Sequence, residues 1–338
     1  MNEQENQGPN PFAFPGDKMV LPADQIPSFN VGKAIKKGNG KKFLIVTWGG
    51  LGDQVCAEPV IRYAQKVFKG IEISLASEAP ELFSHLEFKE VFDLKRVKPV
   101  ESNYMVFRSI VDPSNLLWEF FSHCLAHCVD FCSVCMFRLQ LPVADKEIKL
   151  EADEPDTHWA KALLYNKKKY VVVHAGKHWP SKTFPKEWWD DVLSEIIKYG
   201  LTPILIGKDT DDNRSTVDVN SEGCVDLRNK TSIKELIWLC KNTNVLLTND
   251  SSPLHIAAAG EAHIGFIASC KHPDYITHWR NGQWGWRMKN LGKDGMWNHT
   301  DFNPIQEKEV TVEFIEPELM QALLPTPVEV MDYVRSTL

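Results

Sequence analysis

The chain has 338 residues, of which 43% are hydrophobic and 25% charged, with 19 Gly and 20 Pro. That composition excludes collagen-like, coiled-coil and wholly disordered chains, and at ~150 residues per domain the length implies two domains. Lys+Arg 38 against Asp+Glu 45 leaves a formal charge of -7, which excludes a whole-surface nucleic-acid binder and leaves room only for a local basic groove.

Residues 1–40 are rich in Asn, Gln, Pro, Gly and Lys, lack sustained periodicity and read as an irregular N-terminal arm. No basic segment followed by an apolar core marks a secretory signal, and no run reaches the ~18 apolar residues of a membrane span. The 8 cysteines follow no small-scaffold pattern and read as reduced thiols of a cytoplasmic protein.

Structure is expected to begin at KKFLIVTW (41–48), an apolar run typical of a buried parallel strand. The loop GGLGD and a helix ending at Gly70 follow, then a strand over IEISLAS (71–77) and a short helix at PELFSHL. Such a βαβ start implies a doubly wound sheet. The stretch 114–141 is apolar, free of Gly and Pro, and predicts a long helix. The first Rossmann-like domain then spans 41–150, and an acidic, proline-containing linker spans 151–168 with a short helix near 157–166.

A second α/β unit is predicted over 169–305. Its strands are KYVVVHAG, LTPILIG, CVDLRN, NVLLTND and HIGFIAS, and its helices are PKEWWDDVLSEIIKYG, SIKELIWLCKNT (with Ser232 as cap) and one opening at SSPLHIAAAG. A helical tail, PELMQALL and PVEVMDYVRSTL, occupies 306–338. Two such halves place a ligand cleft between the carboxyl edges of two sheets, so the chemistry is sought in loops that follow strands.

Three loops qualify. In the first, Gly50 and Gly52 let backbone N–H groups approach a ligand, and Asp53 reads either as an N-cap or as a general base above the cleft. The spacing is neither G-x-G-x-x-G nor a phosphate loop with its lysine. In the second, His174, Gly176, Lys177, His178 and Lys182 follow a strand, and their cationic content suits an anion such as a diphosphate. In the third, Asp250, Ser251 and Ser252 open a helix whose N–H groups and hydroxyls form an anion site, with His255 one turn further on the same side.

At these loops the sequence resembles glycosyltransferase family 9, which includes heptosyltransferases. The run DLRNKTSIKELIWLCKNTNVLLTNDSSPLHIAAA is similar to one family signature, HAGKHWPSKTFPKEWW to a second, and GLGDQVCAEPVIRY to the N-terminal Gly-Asp loop. The resemblance implies a GT-B fold, two Rossmann-like domains facing across a cleft with C-terminal helices packing back across them. It also implies an inverting, metal-independent transfer from a nucleotide-diphosphate sugar held by the second domain to an acceptor hydroxyl held by the first. On that reading Asp53 is the base, Lys182 with Ser251 and Ser252 stabilises the leaving diphosphate, and Asp250 and His255 orient the donor. No cofactor is implied, and the default acceptor is a glycan of lipopolysaccharide type. The chain departs from the family at Ser252, where glycine is usual, and at GFIASCKHPDYITHW, where a glycine-containing donor loop is usual.

Other signals receive plainer readings. Cys128, Cys132 and Cys135 have iron–sulfur spacing but lie, with Cys124, on one face of an apolar helix, where buried thiols are expected. Asp209 and Asp211 form an Asp-x-Asp in a solvated loop, and no metal site is assigned. The stretch from His278 to Trp297 interleaves aromatics with Arg and Lys, so Trp279, Trp284 and Trp286 either stack on sugar rings or unpaired bases or form a packed cap. Alternative functions are a nucleotide-sugar epimerase, transfer to a hydroxylated nucleic-acid base, and non-catalytic nucleotide-sugar binding.

Overall fold

The computed structural model of the protein describes residues 42–47, 49–67, 70–108, 147–177, 180–209, 215–269, 273–293, 296, 301–305 and 310–338. The arm expected over 1–40 and the helix expected over 114–141, with its cysteines, lie outside these residues.

The first sheet contains β1 (Lys42–Thr47), β2 (Glu72–Ser77), β3 (Val91–Asp93) and β4 (Met105–Arg108), all parallel, in the order β3-β2-β1-β4. Beyond Lys42 every residue of β1 is buried, as expected of a parallel strand covered on both faces. A turn with Gly49 at φ 95° leads into helix α1 (Leu51–Val67). Midway along α1 the buried carboxylate of Glu58 meets Arg62 Nε at 2.7 Å, His85 Nε2 at 3.2 Å and the backbone N–H of Lys149 at 2.8 Å. Three donors satisfy a charge that burial would otherwise penalise, and with Arg62 bonded to Glu147 O they fix α1 to the segment at Glu147–Lys149. The helix expected at PELFSHL is a single 3-10 turn, Pro80–Phe83.

After α2 (His158–Tyr165), the second unit runs β5 (Tyr170–His174), α3 (Lys186–Lys198), β6 (Thr202–Leu205), β7 (Val225–Asp226), α4 (Ile233–Asn242), β8 (Val245–Asn249) and α5 (Ser252–Ala257). It continues with β9 (His263–Ile267), α6 (Pro273–Ile276), the small hairpin β10 (Trp279–Arg280) and β11 (Gln283–Trp284), and β12 (Met288–Asn290). Six of these strands form one parallel sheet in the order β12-β9-β8-β5-β6-β7. Counted along the chain this is 3-2-1-4-5-6, the doubly wound order, and it reverses between β5 and β8. The loops leaving those two strands therefore open on the crevice. Ser232 caps α4 as expected, its hydroxyl accepting from the N–H of Glu235 while Glu235 returns a carboxylate to the Ser232 N–H.

The tail is helical only in its second part. Strands β13 (Asp301–Ile305) and β14 (Val310–Phe314) pair antiparallel before α7 (Pro317–Leu323) and α8 (Pro327–Ser336). The pattern VTVEF alternates with period two, which marks a strand rather than a helix. Among the described residues these helices hydrogen-bond to the second unit: Trp188 Nε1 donates to Pro325 O at 2.7 Å, and Asn244 Nδ2 donates to Thr337 O at 3.2 Å. Gly265 leaves room for Tyr333, whose ring would lie 2.6 Å from any Cβ placed there.

The two units meet at α1 and α5. A Cβ on Gly52 would fall 2.6 Å from His255 Cδ2 and 3.4 Å from Ser252 Cα, so glycine is what allows the first turn of α1 to rest on α5. One buried apolar cluster continues through this junction, from Ile45, Val55 and Ile61 to Leu246, Leu254 and Ile256. Among the described residues no helix is long and apolar enough to cross a membrane.

Candidate active site

A cavity of about 400 Å³ lies where the two sheets face each other, a size suited to a small-molecule ligand. Its first wall is the turn after β1. Gln54 Oε1 accepts from Ser77 Oγ at 2.7 Å while its Nε2 donates to Gly49 O at 3.1 Å, which holds the turn against the sheet. Asp53 is not the N-cap, because α1 begins two residues earlier at Leu51. Its Oδ2 instead accepts from the Gly50 N–H at 3.1 Å, the reach-back bond of an acid inside a first helical turn. Gly50, Gly52 and Asp53 all line the cavity.

The second wall comes from the loops after β5 and β8. Asn249 Nδ2 donates to Gly176 O at 3.1 Å and Lys182 O at 2.6 Å, tying the two loops together. A Cβ on Gly176 would stand 2.3 Å from Asn249 Oδ1, so this clamp requires glycine. Lys182 closes a 3-10 turn (Pro180–Lys182), and its Nζ lies 2.5 Å from Asp250 Oδ2 with both residues only 7% exposed. The other oxygen of Asp250 faces His255 Nε2 at 3.8 Å. Lysine, carboxylate and imidazole thus form a line along the wall.

Behind it, Ser251 Oγ shares a hydrogen bond of 2.9 Å with His174 Nδ1 and one of 3.0 Å with Thr248 Oγ1. Burial pushes the His174 imidazole down to about 4, so it is neutral at physiological pH. Ser251 is the N-cap of α5 by position, yet its hydroxyl makes no capping bond to that helix. Ser252 lines the cavity at the same point.

The structure brings together Gly50, Gly52, Asp53, Gly176, Lys182, Asp250, Ser251, Ser252 and His255 on one cavity surface. It does not bring the tryptophans there. Trp279 packs edge-on against Trp284 across the β10–β11 hairpin with ring centroids 6.0 Å apart. Trp286 carries Arg287 over its ring at 4.2 Å and Arg280 at 5.5 Å. Arg280 is buried, which lowers its guanidinium to about 10, and it donates to Trp286 O at 3.0 Å. The hairpin also receives Glu147 of the first unit, whose Oε1 accepts from the Gly282 N–H at 2.7 Å. These contacts describe an aromatic brace.

Asp209 holds its own loop together. Burial acts to raise its pKa, but bonds from Asn229, Ser215 and Thr216 outweigh that and hold the carboxyl below its ordinary range. His178 and Asp211 lie outside the described residues.

Three sets of lining residues were not foreseen in the sequence. Gly207, Lys208 and Ser215 form the far end of the cavity, beside Thr231, Ser232, Ile233 and Leu236 at the start of α4. Their signal was available, since LTPILIG ends at the same sheet edge as the other loops. Cys56 lines the near end, and His278 lies behind it with Nε2 2.7 Å from His255 Nδ1. Burial is the main reason that the His278 imidazole is held well below its usual range.

Two units, each with a parallel sheet whose carboxyl edge opens on one cavity, have the architecture of the GT-B fold. Residues 119–265 match the family model of Glycosyltransferase family 9 (heptosyltransferase), which bears out the resemblance carried by the second and third loops; the first loop lies outside the matched residues. Among solved structures, E. coli ADP-heptose lps heptosyltransferase II matches at 14% identity and TM-score 0.57, over 87% of this chain and 98% of its own. A glycosyl transferase family 9 protein from Veillonella parvula DSM 2008 matches at 13% identity and TM-score 0.51, over 72% of this chain and 86% of its own. The iron-containing dodecameric glycosyltransferase TibC from enterotoxigenic E. coli H10407 matches at 14% identity and TM-score 0.57, over 88% of this chain and 76% of its own. No curated protein sequence matches. Family and fold together support a glycosyltransferase.

Proposed function

We propose that the protein is an inverting glycosyltransferase that moves a sugar from a nucleotide-diphosphate sugar to an acceptor hydroxyl. The observation that carries this reading is the meeting of Asp53 from one unit with Lys182, Asp250, Ser251, Ser252 and His255 from the other around one cavity. The similar structures include proteins described with ADP and with ADP-heptose, so an ADP-linked heptose is the first donor to try.

The donor lies against the second unit, its nucleoside toward Lys208, Ile233 and Leu236 and its diphosphate toward Lys182 and the two serines. The acceptor, a glycan of lipopolysaccharide type, enters from the first unit. Asp53 takes the proton of the acceptor hydroxyl while that oxygen bonds to the anomeric carbon. The bond from that carbon to the phosphate oxygen breaks on the opposite face, and the electron pair leaves with the diphosphate. Lys182 meets the developing charge, and an ammonium fixed in a partly closed cavity needs no reorganisation as that charge appears. No metal ion is required on the diphosphate in this scheme. The protein works in the cytoplasm, where its thiols stay reduced.

Asp53→Asn tests the assignment. It keeps the shape of the turn and the acceptor for the Gly50 N–H but removes the base. Transfer is expected to fall by ~10²–10⁴-fold while donor affinity changes little. Unchanged turnover in Asp53→Asn would rule out the base, and turnover of the donor without any acceptor would point to an epimerase.

A further inference from the structure

Cys56 and His278, which the chemistry above does not use, converge on His255. Their ligand atoms all lie within 4.8 Å of one another, and all three residues are largely removed from solvent. His255 Nδ1 is 3.6 Å from Cys56 Sγ and 2.7 Å from His278 Nε2. One imidazole nitrogen thus faces a thiol and a second imidazole at once. It can donate its proton or accept one, but it cannot satisfy both neighbours in the same way. A cation at the centre would take a lone pair from each.

We propose that these three residues bind a borderline-soft divalent ion of the zinc class, and that the ion clamps the two units together. Thiolate and imidazole are the ligand types that select such an ion over magnesium or calcium. Tetrahedral coordination at zinc–ligand lengths of about 2.3 Å for sulfur and about 2.05 Å for nitrogen sets S···N near 3.6 Å and N···N near 3.3 Å. The observed 3.6 Å between Cys56 and His255 already fits. The two imidazoles would part by about 0.6 Å on the same geometry. The supporting shell is in place too, because Asp250 Oδ1 faces the remaining nitrogen of His255. Cys56 belongs to α1 of the first unit and both histidines to the second, so the bound ion spans the α1–α5 junction that Gly52 makes possible. Cys56 and His255 line the cavity, which leaves a fourth position for water on that side. The site shares His255 with the proposed donor site, but the metal-binding measurements below are read without any glycosyl transfer.

The test uses the full-length chain, stripped with a chelator and titrated with zinc or cobalt(II). Zinc X-ray absorption on the wild-type chain is expected to give one sulfur and two imidazole ligands, with zinc–sulfur near 2.3 Å. The cobalt form is expected to show a thiolate charge-transfer band that disappears in Cys56→Ser and to lose its bound ion in His278→Gln. It should persist when Cys124, Cys128, Cys132 and Cys135 are all replaced by serine. Zinc should also raise the unfolding temperature of the wild type but not of Cys56→Ser or His278→Gln. The proposal is overturned by an all-sulfur shell, by a shell without sulfur, by a cobalt band that survives in Cys56→Ser, or by no binding at micromolar metal. Because the absorption measurement needs no variant, a substitution that fails to fold does not leave the question open.

Discussion

Lys182→Met removes the cation from a pair that water barely reaches. Lys182 Nζ sits 2.5 Å from Asp250 Oδ2, with each residue 7% exposed, and His255 is 3.8 Å from the other oxygen. The substitution leaves a buried carboxylate without its ammonium, for which a loss of about 3–5 kcal/mol is expected. An exposed pair would cost ~0–1 kcal/mol instead. In Lys182→Met/Asp250→Asn neither charge remains, so the double variant should be more stable than Lys182→Met alone. Urea unfolding of the wild type, both single variants and the double variant closes the cycle. The same lysine faces the cavity, so nucleoside-diphosphate affinity in Lys182→Met should fall by the worth of one charged hydrogen bond, about 1.5–3 kcal/mol, or roughly 10- to 150-fold. Calorimetric titration reads that loss. A cost below about 1 kcal/mol together with simple additivity in the double variant would refute the buried-pair reasoning. Unchanged nucleotide affinity would remove Lys182 from the donor site.

Further outcomes follow from neighbouring contacts. Gly52→Ala places a Cβ 2.6 Å from the His255 ring, and the strain should cost about 1–3 kcal/mol in urea unfolding while weakening contact between the units. His174 is buried and neutral with its pKa lowered to about 4, so the unfolded chain binds the extra proton between there and pH ~6.5. Stability from this group is complete above pH ~6.5 and is lost as the pH falls toward 4, at a slope of up to about 1.4 kcal/mol per pH unit. In His174→Gln that part of the pH dependence should vanish. Trp286→Ala strips the ring beneath Arg287 and Arg280, so it should lower stability while leaving nucleotide affinity intact, as measured by the same titration.

The sequence was informative where a fully buried parallel strand gives an unbroken apolar run. The strands β1, β5, β8 and β9 announce themselves that way, and each is followed by a loop rich in glycine, lysine or serine. Because a doubly wound sheet places such loops at its carboxyl edge, the cavity residues could be picked from position alone. Short strands were harder to see. β7 has two residues and β12 three, too few for any periodicity to register. The β14 strand was hidden by the helical segments that follow it. The N-cap reading of Asp53 was three positions off, since a glycine-rich turn does not say where its helix begins, and α1 starts at Leu51. The tryptophans could not be assigned from composition for a physical reason: aromatic and cationic side chains that stack on one another have the same composition as those that stack on a ligand. The meeting of Cys56 with His255 was invisible, because 199 residues separate them and only the packing of α1 on α5 joins them.

The central claim is that the cavity between the two units binds a nucleotide-diphosphate sugar against Lys182. The most direct measurement is a thermal-unfolding titration of the full chain with nucleoside diphosphates and nucleotide sugars, ADP and ADP-heptose first, run beside Lys182→Met. A ligand at 100 times its dissociation constant should stabilise the wild type by about 2.7 kcal/mol, a readily seen rise in unfolding temperature, and the variant by distinctly less. Silence across all nucleoside diphosphates and nucleotide sugars, or an equal rise in both proteins, would contradict the account.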